Sequence, residues 1–117
     1  MRIIIAGSRS FQDYILLKTT MDKLVKKIKA EITILSGGAY GADKLGELWA
    51  RVNNYPIKLY LPDWEVGRKA GPLRNEEMAK NADGLVAFWD GRSEGTKDII
   101  ERARKHRLKV KVVRFEE

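Results

Sequence analysis

The chain has no cysteine and one histidine. Disulfides, thiolate nucleophiles and cysteine-bound metals are therefore excluded, and the lack of cysteine fits a cytoplasmic protein. His106 lies between Lys105 and Arg107 and reads as a solvated residue at a helix end, which makes a Ser–His–Asp hydrolase implausible. No His/Asp/Glu cluster has metal-ligand spacing, so no metal is expected. Proline is scarce, with three among 117 residues, and no linker, repeat or low-complexity segment appears. A single domain over residues 1–117 is the expectation. The longest apolar runs, residues 3–6 and 85–89, are too short to cross a bilayer. The first residues lack the apolar core and cleavage site of a signal peptide, and no membrane partner is expected. The two commonest nucleotide fingerprints are also missing. No GxGxxG follows the first apolar run and no GK[ST] occurs, which argues against a standard NAD or P-loop ATP site.

Positive charge is plentiful. The net charge is +7, and residues 97–114 hold eight Lys/Arg against two Asp/Glu. Such an excess either attracts an anionic partner, nucleic acid or a phosphorylated small molecule, or solvates one helix face.

Short apolar runs alternate with helical periods. Residues 2–6 (RIIIA), 32–35, 57–61, 85–89 and 109–115 read as strands. Helices are expected over residues 12–30, 42–53, 72–81 and 96–105. The first starts at a Ser10/Asp13 capping box, and the third has Pro72 at its first position. In the second, Ala42, Leu45, Leu48, Trp49 and Val52 should face inward. Which face of the first two helices is spare for a dimer is not visible in the periodicity. The alternation predicts an α/β fold: a Rossmann-like three-layer sandwich around a five-stranded parallel sheet of order 3-2-1-4-5. Ligands of such sheets bind at the carboxyl ends of the strands, near the switch point between strands one and four.

The unusual motifs fall on that edge. GSRSF follows strand one, SGGAYGAD strand two and WDGRSEGT strand four, each leading into a helix N-terminus. Glycine lets backbone N–H groups approach an anion, and the helix end adds free donors and partial positive charge. The expected ligand and phosphate site is Gly7, Ser8, Arg9, Ser36, Gly37, Gly38, Gly41, Arg74, Asn75, Asp90, Gly91, Ser93, Gly95 and Thr96. Asp43 and Asp90 are read as either ribose ligands or helix caps. The segment 62–78 leaves strand three as a long loop carrying Trp64, Arg68, Lys69, Arg74 and Asn75. Trp64 would stack on a base or pack as a lid. Arg74 falls in the first turn of its helix, a poor place for a cation, which hints at a functional choice.

GSRSF, SGGAYGAD, AGPLRNEEM and FWDGRSEGT, in this order, resemble the SLOG superfamily, closest to its YspA/YpsA-related branch. The resemblance spans residues 3–103. It implies a domain that binds nucleotides or nucleotide-derived ligands, often as a homodimer. The Lonely Guy type phosphoribohydrolases of that superfamily cleave a nucleoside monophosphate to base and ribose phosphate. Arg74 matches their arginine and Gly95-Thr96 their GT pair. Ile99 stands where their catalytic glutamate belongs, and Leu73 replaces the glutamate before the arginine. Such a hydrolase would need Asp90 or Glu94 as its acid. The DprA type binds single-stranded DNA. Its GSR, SGxAxGxD and RN pair are matched by Gly7–Arg9, Ser36–Asp43 and Arg74-Asn75. The leading expectation is binding or sensing of a nucleotide-type ligand, followed by single-stranded nucleic-acid binding and then by glycosidic hydrolysis.

Overall fold

Ile3, Ile4 and Ile5 are β-branched and sealed from solvent, and they seed both layers of the core. Ile3 and Ile5 face one hydrophobic cluster and Ile4 the other. The computed structural model describes residues 1–116. Its elements are β1 (Arg2–Gly7), α1 (Tyr14–Val25), β2 (Thr33–Ser36), α2 (Ala42–Val52), β3 (Ile57–Leu59), a 3₁₀ helix (Trp64–Lys69), α3 (Ala70–Lys80), β4 (Gly84–Trp89), α4 (Glu94–Lys105) and β5 (Lys109–Arg114). All strand pairings are parallel, in the order β3-β2-β1-β4-β5, as the alternation predicts. Leu17 and Met21 of α1 and Trp49 and Ala50 of α2 close one face. Met78 of α3 and Ile99, Ile100 and Ala103 of α4 close the other. No described helix is long and apolar enough to cross a membrane.

Four local expectations are corrected. First, α1 starts after its cap Asp13, whose side chain accepts the Leu16 N–H, and ends at Val25, short of residue 30. Beyond it the Lys27 and Ile28 N–H groups reach back only three residues, to Leu24 and Val25, which tightens the chain into 3₁₀ turns. Second, the stretch after β3 is not an open loop, because Trp64–Lys69 winds into a 3₁₀ helix capped by Asp63. Third, α3 therefore begins at Ala70, before Pro72. Arg74 lies in its second turn, where the dipole argument has no force.

The fourth correction concerns the face of α2. Leu48 and Val52 are exposed, whereas Glu47 is buried. Small residues explain it. A Cβ on Gly46 would lie 2.6 Å from Ile5 Cγ2, so α2 presses its Ala42, Gly46 and Ala50 side against the sheet. That rotation carries Glu47 inward, where Ser36 Oγ donates to its carboxylate at 2.6 Å and Lys44 and Arg51 lie at 3.7 and 3.5 Å. The spare apolar face of α2 is thus that of Leu48 and Val52.

Candidate functional site

The loops after β1, β2 and β4 meet at the carboxyl edge. Ser8 ties the β1 and β4 loops together: its N–H donates to the Phe88 carbonyl at 2.9 Å and its Oγ accepts the Asp90 N–H at 3.1 Å. One carboxylate oxygen of Asp90 accepts the N–H groups of Arg92 and Ser93, both at 2.8 Å, so Asp90 shapes its turn. Ser93 caps α4 by accepting the Thr96 N–H.

Ser36 departs from the expected cradle. Its hydroxyl donates to Glu47 and accepts the Gly38 N–H at 3.1 Å, holding the β2 loop from inside. Two more members serve packing. Gly91 has φ +84°, and a Cβ there would lie 2.2 Å from an Arg114 guanidinium nitrogen. Gly41 has φ +80° and rests against the Ser8 and Arg9 carbonyls.

Arg74 and Asp43 flank Gly37. The Arg74 Nη1 donates to the Gly37 carbonyl at 2.6 Å and Nε donates to Asn75 Oδ1 at 2.9 Å. Asn75 in turn donates to Asp98 at 2.9 Å, anchoring α3 to α4. A Cβ on Gly37 would lie 2.3 Å from Arg74 Nη1 and 3.0 Å from Asp43 Oδ2. Glycine is needed here because two charged side chains press on it from either side. Burial lowers the Arg74 pKa from its ordinary value against the pull of Asp43, and the like charge of Arg9 lowers it further. Arg9 and Arg74 thus set two like charges at one cleft.

Asp43 is not the α2 cap, a position held by Gly41. Its carboxylate is buried and accepts the Ala39 N–H at 3.2 Å. Burial pushes its pKa up to about 6, against the Ala39 and Gly7 N–H groups and the Arg74 charge. The folded protein therefore binds a proton more tightly at Asp43 than the unfolded chain does, whose value is 3.8. This contribution to stability is fully present below about pH 4 and is lost as pH rises through about 6, a swing of roughly 3 kcal/mol. Urea unfolding across pH 4–7 will show the wild type losing that much relative to Asp43→Asn. Parallel curves for the two proteins would contradict the assignment.

Three adjoining cavities run along this edge, and Arg9 and Arg74 line all of them. The central one, about 380 Å³, brings together Gly7, Ser8, Asn75, Asp90, Ser93, Gly95 and Thr96 from the expected set, with Asp43 and Ile99. A second cavity adds Trp64, Arg68, Lys97 and Asp98. A third, lined by Gly37, Gly38, Tyr40 and Lys44, shares Trp64 with the second, so the three gather around Arg9 and Arg74. Trp64 and Tyr40 are 61% and 78% exposed. Sequence reading missed Tyr40, Lys44 and Lys97, though Tyr40 sits inside the glycine-rich motif. His106 is tied down by Glu76, whose carboxylate is 2.8 Å from its Nε2. Among the described residues, no three His, Asp or Glu side chains are grouped to hold a metal.

A parallel sheet of order 3-2-1-4-5 with glycine-bearing loops meeting at its carboxyl edge defines the class as a Rossmann-like α/β sandwich. The chain belongs to the YspA, cpYpsA-related SLOG family, whose pattern matches residues 1–67. It is 37% identical over 114 residues to the Gene 61 protein of Mycobacterium phage D29, covering 89% of each chain. DNA processing protein A (DprA) from Streptococcus pneumoniae shares the fold, with a TM-score of 0.75 at 19% identity over 95% of this chain. This chain spans about half, 49%, of that protein.

Proposed function

We propose that residues 1–117, acting as one domain, bind single-stranded nucleic acid along the carboxyl edge of the sheet. The observation that carries this reading is the group of three cavities gathered around Arg9 and Arg74, with exposed Trp64 and Tyr40 on its rim. That group offers more than one phosphate-and-base position. The guanidiniums take phosphates, and the aromatic side chains offer stacking faces that tolerate any base. The net charge of +7 and the fold shared with a DNA processing protein support it.

Titration with the oligonucleotide dT12 tests the reading, followed by tryptophan fluorescence. Trp49 is buried, Trp64 exposed and Trp89 half-buried, so the difference in quenching between the wild type and Trp64→Ala isolates the Trp64 signal. Engagement of three phosphates weakens affinity about 20-fold between about 50 and about 200 mM salt. Trp64→Ala weakens it about tenfold. If dTMP binds as tightly as dT12 and salt matters little, the strand reading fails.

That outcome would favour a second reading, a nucleotide-derived small ligand. The central cavity by itself supports it, because Gly7, Ser8, Arg9, Arg74 and Thr96 surround a volume fit for one nucleotide. Glycosidic hydrolysis has less support. Ile99 presents a buried aliphatic wall where the acid belongs, and Asp90 is engaged with two backbone N–H groups.

A further inference from the structure

The opposite, amino-terminal edge carries a second groove that the proposed strand site does not use. It lies on the face of the sheet closed by α1 and α2, between the end of α1 and β5. Two adjoining cavities of about 390 and 300 Å³ share Leu24, Lys27 and Lys111. Ile3, Leu24, Ile28 and Val86 contribute an aliphatic floor, and no aromatic side chain lines either cavity.

The walls are lysine. Lys23, in the last turn of α1, and Lys27, about one turn further on, stand on one side. Lys109 and Lys111 stand on the other. Val113 packs with the cluster on this face while Val110 and Val112 pack with the opposite one, so strand alternation puts both lysines on the groove side. No Asp or Glu lines either cavity, and none of these four lysines makes an ion pair among the described residues.

We propose that this groove docks an amphipathic helix of a partner protein, one whose apolar stripe is bordered on both sides by carboxylates. Spacing and charge argue for that occupant. Lysines two apart on a strand are separated by about 7 Å, and residues four apart on a helix by about 6 Å. Carboxylates at i and i+4 on each flank of an incoming helix therefore meet both lysine rows while its apolar stripe covers the aliphatic floor. A nucleic-acid strand is the poorer match, since it has no aromatic platform here and would set phosphates against apolar surface. A basic helix would set like charge against the four lysines, and a neutral one would leave them without ion-pair partners.

The test uses the full chain and a fluorescein-labelled synthetic helix of about five turns, with a leucine stripe flanked by glutamates. A second peptide carries lysines in place of the glutamates. The acidic peptide is expected to give saturable anisotropy binding that weakens at least about tenfold in Lys27→Glu/Lys111→Glu. Both lysines are exposed, so the variant keeps its fold, which circular dichroism verifies. The lysine peptide is expected to prefer the double variant to the wild type. Equal binding of the two peptides to the wild type, or no binding of the acidic one, overturns the proposal. Displacement of the acidic peptide by dT12 from the wild-type groove also overturns it, because the lysines would then be reading phosphate.

Discussion

Gly41→Ala will destabilise the protein strongly for a change of one methyl group. The residue has φ +80° and ψ −127°, a conformation that side chains rarely adopt. An added Cβ would lie 2.4 Å from the Ser8 carbonyl oxygen and 2.6 Å from that of Arg9, both of them backbone atoms that cannot swing aside. Strain and overlap together cost about 3 kcal/mol, which lowers Tm by roughly 10 °C. Gly95→Ala is the control. It sits in the first turn of α4, its Cβ would meet nothing within 4 Å, and helix propensity predicts a small gain. Thermal unfolding of the two variants decides the matter. Equal midpoints would mean that the β1 loop does not rest on Gly41.

Arg74→Ala will have the largest effect on binding. The side chain lines all three cavities and supplies the half-buried member of the guanidinium pair. Its loss is expected to weaken dT12 about 100-fold, the value of roughly two charged hydrogen bonds. Stability falls by about 1–2 kcal/mol, because the Gly37 carbonyl loses its donor. Arg74→Lys restores charge but not the fork that reaches Gly37 and Asn75 at once, so it recovers only part of the affinity. A drop in affinity no larger than the salt-dependent loss of one surface lysine would show that Arg74 is structural.

The fold was legible because its signals are local and redundant. Five short apolar runs spaced by helical periods admit few arrangements, and Ile3–Ile5 reads as a strand buried on both faces without further help. The edge on which the glycine loops meet follows from topology alone. What stayed hidden depends on contacts between segments. The periodicity of α2 puts Leu48 inward, but Gly46 against Ile5 turns the helix and buries Glu47, and no pattern within α2 reveals its partner Ser36. Gly37 looks like a phosphate-cradling glycine. Only the side chains converging from α2 and α3 show that it is a gap between two charges. The winding of Trp64–Lys69 was equally opaque, because its Gly67 at φ +81° interrupts any helical pattern.

The close seating of α2 on the sheet has a thermodynamic meaning. With Gly46 against Ile5 and Gly41 against the Ser8 and Arg9 carbonyls, the helix leaves the loop before it little slack. The donors of that loop are set when the chain folds, not when a ligand arrives. For the strand binding proposed above, little configurational entropy then remains to be lost at this end of the cleft, and affinity would rest on the contacts themselves.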